Sequence, residues 1–266
     1  MSNYRFGFIG CGNMGGALAS AAAQRVPAAK LAVSDADSQK TAALANAGKA
    51  TVATVADVAK GSDYIFLAVK PQGLEALFRE IRPLLAARRD RFVLVSMAAG
   101  TPIARIRELA GDYPVIRIMP NTPVRVGAGM TVYTAEGATE EEIEGFLEGL
   151  CAAGTFDRLP ERLIDAAGAL SGCGPAFVYL FAEALADAGV ECGLPREQAL
   201  LYAAQTLEGA AKMILETHEH PARLKDAVCS PGGTTIAGVH ALEEGAFRGT
   251  VMAAVRAAFE KTAKLK

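Results

Sequence analysis

A glycine pattern near the start of the chain, Gly10-Cys11-Gly12-Asn13-Met14-Gly15, constrains the fold more than any other feature. It follows a short apolar run, Phe6-Gly7-Phe8-Ile9, and opens into a helical pattern over residues 14–25. A strand that ends in G-x-G-x-x-G and passes at once into a helix is the opening turn of a dinucleotide-binding βαβ unit. Gly10 permits the tight turn, Gly12 lets the backbone approach a pyrophosphate, and Gly15 lets helix and strand pack closely. The phosphates are expected on the helix N-terminus, where unpaired N–H groups and the helix dipole favour an anion. The residues expected to hold them are Ile9, Gly10, Cys11, Gly12, Asn13 and Met14.

The pattern does not stand alone. Strands are expected at residues 5–10, 31–35, 50–53, 64–69, 92–97, 115–119 and 129–134, and helices at 14–25, 38–47, 73–87, 103–109 and 140–153. The strands are near-continuous apolar runs such as Ile65-Phe66-Leu67-Ala68-Val69. Strands buried on both faces read this way, as in a parallel sheet wrapped by helices. Near residues 157–162 the texture changes. Val and Ile thin out, and Ala, Leu, Glu and Gln take over with helical spacing to the end. The expectation is a Rossmann-like doubly wound α/β domain over residues 1–157 and an all-helical domain over 158–266.

Composition narrows the function. Lys plus Arg is 27 against 29 Asp plus Glu, for a formal net charge of −2. That argues against nucleic acid or a membrane surface as a partner bound through a basic face. The five Cys form no C-x-x-C and read as reduced thiols of a cytoplasmic protein. The most apolar stretch, residues 176–190, is interrupted by Glu183 and Asp187, so no membrane span is expected. The apolar run before Gly10 is too short for a signal peptide. His218 and His220 lie two apart at a helix end and diverge, so no metal site is expected.

In such sheets the carboxyl ends of the strands line the ligand crevice. Asp35 ends the second strand about twenty residues beyond Gly15, where a carboxylate bonds the adenosine ribose and repels a 2′-phosphate. Asp35 or Asp37 could equally cap the helix that starts at Ser38, so NADH and NADPH both stay open. Ala68-Val69-Lys70-Pro71 ends the fourth strand, and Lys70 faces either a cofactor or solvent. Small residues after the fifth, including Ala98, admit a ligand close to the backbone. After the sixth, Asn121 offers an amide to a nicotinamide or a substrate, or else forms an Asx turn. In the helical half, Ser171-Gly172-Cys173-Gly174-Pro175 is a glycine-rich bend, and Cys173 has no neighbouring His to make it a nucleophile. Ser230-Pro231-Gly232-Gly233-Thr234-Thr235 precedes a helical run. It can present bare N–H groups to a small carboxylate or simply cap the helix.

Taken together these segments resemble the pyrroline-5-carboxylate reductase family over essentially the whole chain. The resemblance is carried by Gly7-Phe8-Ile9-Gly10-Cys11-Gly12-Asn13-Met14-Gly15, Ala68-Val69-Lys70-Pro71, Met119-Pro120-Asn121-Thr122-Pro123 and Ser171-Gly172-Cys173-Gly174-Pro175-Ala176. Its most specific piece runs from Leu224-Lys225-Asp226 through Ser230-Pro231-Gly232-Gly233-Thr234-Thr235-Ile236. It implies a cofactor-binding domain followed by a helical dimerisation domain, with interlocked homodimers that can assemble into a decamer. It implies hydride transfer from NADPH or NADH to Δ1-pyrroline-5-carboxylate, giving L-proline. It places the substrate carboxylate on Gly233, Thr234 and Thr235, the ring nitrogen on the catalytic Thr235, and Glu219 at the pocket wall. Asp35 departs from the Ser or Thr the family often carries, which unsettles the usual NADPH preference. Two other classes fit less well: a β-hydroxyacid dehydrogenase needs a helix-borne catalytic Lys that Lys212 does not match, and a cofactor sensor has no use for the loop at 230–235.

Overall fold

The run Tyr4–Ile9 forms the central strand β1 and buries its last four residues, because parallel neighbours occupy both its edges. The computed structural model describes residues 4–264. Strands β2 (Leu31–Ser34), β3 (Thr51–Val52), β4 (Ser62–Leu67), β5 (Val93–Ser96), β6 (Val115–Met119), β7 (Gly129–Glu136) and β8 (Gly154–Arg158) complete an eight-stranded sheet, ordered β3-β2-β1-β4-β5-β6-β7-β8. The order reverses direction beside β1, at the β1–β4 pair, which is the switch point of a doubly wound sheet. The connecting helices are α1 (Asn13–Ala22), α2 (Ser38–Asn46), α3 (Val55–Gly61), α4 (Leu74–Ala86), α5 (Ile103–Ala110) and α6 (Glu140–Leu150). They cover two apolar layers, one built on Phe6, Phe8 and Phe66, the other on Ile65, Leu67 and Phe78.

Three features differ from the sequence expectation. First, β7 runs antiparallel to β6, so the sheet is not parallel throughout. Only nine residues separate the two strands, fewer than the dozen or so a parallel crossover needs. Second, residues 154–158 form the edge strand β8, paired with β7, where the sequence suggests the end of the sheet domain. Its single large apolar residue is Phe156. Third, α3 was not expected, although Thr54 and Asp57 close a full capping box at its start.

The chain divides into two compact units, one comprising the sheet up to Cys173 together with the stretch from Ala258 on, and one from Gly174 to Ala257. Helix α7 (Glu161–Ala167) belongs to the first and is bolted to β6 by a buried charge network. Arg117, 2% exposed, meets Asp165 at 2.5 Å and Glu161 at 3.3 Å. Glu161 also accepts the Ile103 N–H at 2.7 Å, capping α5, which has no side-chain cap of its own.

A π-turn, Gly168–Gly172, leads into α8 (Gly174–Glu191), and then follow α9 (Arg196–Thr217), α10 (Pro221–Val228), α11 (Thr234–Glu244) and α12 (Phe247–Ala263). The run Glu161–Glu191 is continuous helix of 31 residues, with a mean hydropathy of 1.4 in its most apolar window. By length and composition alone this run is long and apolar enough to cross a membrane, a property that single apolar helices of other proteins share. The π-turn is what joins α7 to α8 and lengthens the apolar run.

The second unit has little core. Its buried apolar residues are Ala186, Ala199 and Ala203, where α8 and α9 cross closely. All the exposed large apolar side chains except Val52 and Val126 fall at Leu170 or later. A helical layer so exposed cannot be stabilised by its own interior and needs a covering partner.

Candidate active site

The sheet brings the carboxyl ends of β1, β2 and β4 together. The Gly10 N–H donates to the Ser34 carbonyl at 2.8 Å, and the Ala68 N–H to the Ile9 carbonyl at 2.9 Å. The three glycines of the loop divide their tasks as their surroundings require. Gly10 has a φ of +104°, and a Cβ there would lie 2.5 Å from the Ala68 carbonyl oxygen. A Cβ on Gly15 would lie 2.2 Å from the Gly10 carbonyl oxygen and 2.7 Å from the Ala68 Cβ. A Cβ on Gly12 would meet nothing within 4 Å. Gly12 is also the N-cap of α1 and supplies no side-chain cap, so the first N–H groups of the helix are open to a ligand. Gly12 therefore has no packing reason to lack a side chain. A pyrophosphate seated on the helix would supply one, and the residues present fit a dinucleotide.

Asp35 sits just past β2 with both carboxylate oxygens engaged. One accepts the Cys11 N–H at 2.6 Å, the other the Asp37 N–H at 2.8 Å, with Lys40 3.7 Å away. Partial burial pushes its pKa up, but these two N–H donors and the Lys40 charge outweigh burial and hold it below the ordinary carboxylate value. The cap of α2 is Asp37, which accepts the Gln39 N–H; Asp35 is not the cap. Each Asp35 oxygen keeps a lone pair for a further donor. The pKa of the Cys11 thiol is pushed up to about 12, mainly by burial and then by the Asp35 charge.

Val69 and Pro71 are half-buried beside the crevice, Ala98 is buried, and Lys70 is exposed, its side chain making no cap hydrogen bond. Asn121 is used differently from the sequence expectation. Its Oδ1 accepts the Met130 N–H at 2.9 Å and its Nδ2 donates to the Ser171 carbonyl at 3.0 Å. At 8% exposed it is a clamp between the β6–β7 connection and the π-turn, not an amide offered to solvent. Arg125 and Lys40 were not singled out from sequence. With Cys11, Gly12 and Asn13 they line a cleft of about 440 Å³ between α1 and α2.

In the second unit, Ser230-Pro231-Gly232-Gly233 closes a tight turn in which the Gly233 N–H donates to the Ser230 carbonyl at 3.0 Å. Pro231 fills the second turn position and Gly232, at φ +68°, the third, the pairing a type II turn demands. Gly233 is the N-cap of α11 and has no side-chain cap bond, so Thr234 and Thr235 open the helix with their N–H groups uncovered and their side chains exposed. A Cβ on Gly233 would stand 2.3 Å from Ser230 Oγ and 3.1 Å from the Ser230 carbonyl oxygen, so a larger residue at the cap requires the Ser230 side chain to turn away. Glu219 lies between α9 and α10 and pairs with Arg223 at 3.3 Å.

A doubly wound sheet with a bare glycine loop, followed by a helical layer, has the architecture of NAD(P)-dependent oxidoreductases. Comparison with known proteins makes the class specific. Residues 161–265 match the family model for pyrroline-5-carboxylate reductase dimerisation, and residues 5–100 match that for coenzyme F420-dependent NADP oxidoreductases. The chain is 41% identical to the pea pyrroline-5-carboxylate reductase, over 99% of its own length and 96% of the relative's. It is 42% identical to the Escherichia coli enzyme of that name, over 98% of each. The crystal structure of the Plasmodium falciparum pyrroline carboxylate reductase with NADP bound superposes with a TM-score of 0.86, at 33% identity over 99% of this chain and 98% of the other. The chain belongs to the pyrroline-5-carboxylate reductase family. The dimerisation match covers the exposed apolar helices and supports an oligomer.

Proposed function

We infer that this chain catalyses the last step of proline biosynthesis, the reduction of Δ1-pyrroline-5-carboxylate to L-proline with NADPH or NADH. Similarity to pyrroline-5-carboxylate reductases over the whole chain carries this reading. The cofactor supplies a hydride to the C=N carbon. The protein's share is to bind, orient and support protonation, which needs no acid–base dyad or metal. Backbone N–H groups of Gly233, Thr234 and Thr235 at the α11 terminus receive the substrate carboxylate. The Thr235 hydroxyl accepts a hydrogen bond from the protonated imine nitrogen and can donate one to the product amine. Glu219 borders the same pocket. On the cofactor side, Ile9, Gly10, Cys11, Gly12, Asn13 and Met14 cradle the pyrophosphate. Ala68, Val69, Lys70, Pro71 and Ala98 form the remaining strand-end rim, with Asn121 behind it holding the β6–β7 connection in place. Asp35, fixed and ionised, accepts a ribose diol more readily than a 2′-phosphate.

The active unit is a homodimer that buries the apolar faces of α8 and α9, and dimers are the building block for a decamer. A cytoplasmic location accords with five unpaired thiols, one of them, Cys11, buried in the cofactor loop. The deciding experiment is NAD(P)H oxidation in the presence of Δ1-pyrroline-5-carboxylate. Turnover with at least one cofactor is expected, and no turnover with either would remove this function.

A further inference from the structure

The connection after β6 carries a group that neither the glycine motif nor the strand ends account for. Residues Thr122–Val126 form a 3-10 turn held at both ends. Asn121 ties its start to the Met130 N–H, Val124 is 2% exposed in the core, and Gly127 closes it in the left-handed region at φ +72°. Arg125 projects from this fixed turn. Its Nη2 donates to Asn13 Oδ1 at 3.2 Å, across the first residue of α1. Among the described residues no carboxylate lies within ion-pair distance of Arg125, whereas Arg117, Arg88 and Arg91 are each matched to one. An exposed guanidinium on a rigid turn, uncompensated and bonded only to a neutral amide, stands beside an uncapped helix terminus.

We propose that Arg125 is a cofactor-binding residue that clamps the dinucleotide pyrophosphate from the side opposite the α1 N–H groups. Its partner is placed by Asn13, the residue that opens α1. Lys40 lies instead with Asp35 and Asp37 beyond β2, on the ribose side. A guanidinium grips phosphate oxygens in a bidentate manner and exchanges a neutral hydrogen bond for charge-assisted ones. Because the pyrophosphate is common to both cofactors, the contribution is the same for NADPH and NADH. The proposal rests on the dinucleotide reading of the glycine loop.

The test is titration of wild type, Arg125→Ala, Arg125→Gln and Arg125→Lys with NADPH and with NADH, followed by nucleotide fluorescence. Arg125→Gln keeps a donor for Asn13 and removes the charge. Both Arg125→Ala and Arg125→Gln should weaken Kd by about tenfold or more, roughly 1.4 kcal/mol, for the two cofactors alike. Arg125→Lys should recover part of the loss, and melting temperatures should stay close to wild type. Wild-type affinity in Arg125→Gln would reduce the residue to a prop for Asn13 and overturn the clamp. A loss confined to NADPH would move the contact to the 2′-phosphate and overturn it equally. If wild type bound neither dinucleotide, the reading of the crevice would fall and the proposal with it.

Discussion

Gly12→Val separates a binding role from a folding role at a single position. The new Cβ meets no protein atom within 4 Å, and the backbone at φ −65°, ψ −165° is open to any L-residue. The fold should lose at most the N-cap preference for Gly, up to about 1 kcal/mol. The lower backbone entropy of the unfolded chain offsets that by about 0.4–1 kcal/mol. Melting should therefore move by no more than about 2–4 °C in a protein of this size. The isopropyl group instead occupies the space above the α1 terminus. Displacing a phosphate from two charge-assisted N–H contacts, each worth about 1.5–3 kcal/mol, should weaken cofactor binding at least a hundredfold, about 2.7 kcal/mol. Gly15→Ala is the counterpart. Its Cβ would collide with the Gly10 carbonyl oxygen at 2.2 Å and the Ala68 Cβ at 2.7 Å, neither of which is a flexible chain end. That overpacking should cost about 1–3 kcal/mol of stability. The assay pairs NAD(P)H titration with thermal melting for both variants. Normal affinity in Gly12→Val, or an unchanged melt in Gly15→Ala, would refute this division of labour.

Asp35→Ser should shift the NADPH-to-NADH preference toward NADPH by roughly tenfold, about 1.4 kcal/mol; an unchanged ratio in steady-state kinetics would leave Asp35 only its backbone partners. The same carboxyl has a lowered folded pKa, so its stabilisation is present above the unfolded value near 4 and is lost as pH falls through the folded value. Melting curves of wild type and Asp35→Ser should therefore converge in acid, and a constant gap there would contradict the linkage. Thr235→Ala should lower kcat/KM by about 10- to 100-fold. Gly233, not Thr235, caps α11, so the melt should barely change, and full turnover would end the catalytic role. Sedimentation should find no active monomer at micromolar concentration; a stable one would contradict the covered-helix argument.

The cofactor end of the fold was legible because its signals are local. Gly10, Gly12 and Gly15 announce a strand, a turn and a helix within a few residues, and Pro231-Gly232 announces a turn. What was missed depends on partners far along the chain. β8 has only Phe156 to mark it and exists because β7 offers an edge. Asn121 reads as a ligand-facing amide or an Asx turn until Met130 and Ser171 are folded against it. Arg125 looks like an ordinary surface cation until its turn meets Asn13, more than a hundred residues earlier in the chain. The Thr54–Asp57 capping box was visible in the sequence and could have revealed α3.

The antiparallel return of β7 leaves a lasting asymmetry at the crevice. From β1 the chain passes directly into a helix, so the positive potential there comes from peptide dipoles and persists whatever side chains mutation installs. From β6 it passes into a 3-10 turn and straight back into the sheet, and no α-helix begins at that rim. Positive charge on that flank is encoded by a single codon, the one for Arg125. The flank can therefore gain or lose grip on an anion by point mutation while the sheet stays as it is, whereas the glycine loop has almost no freedom to drift.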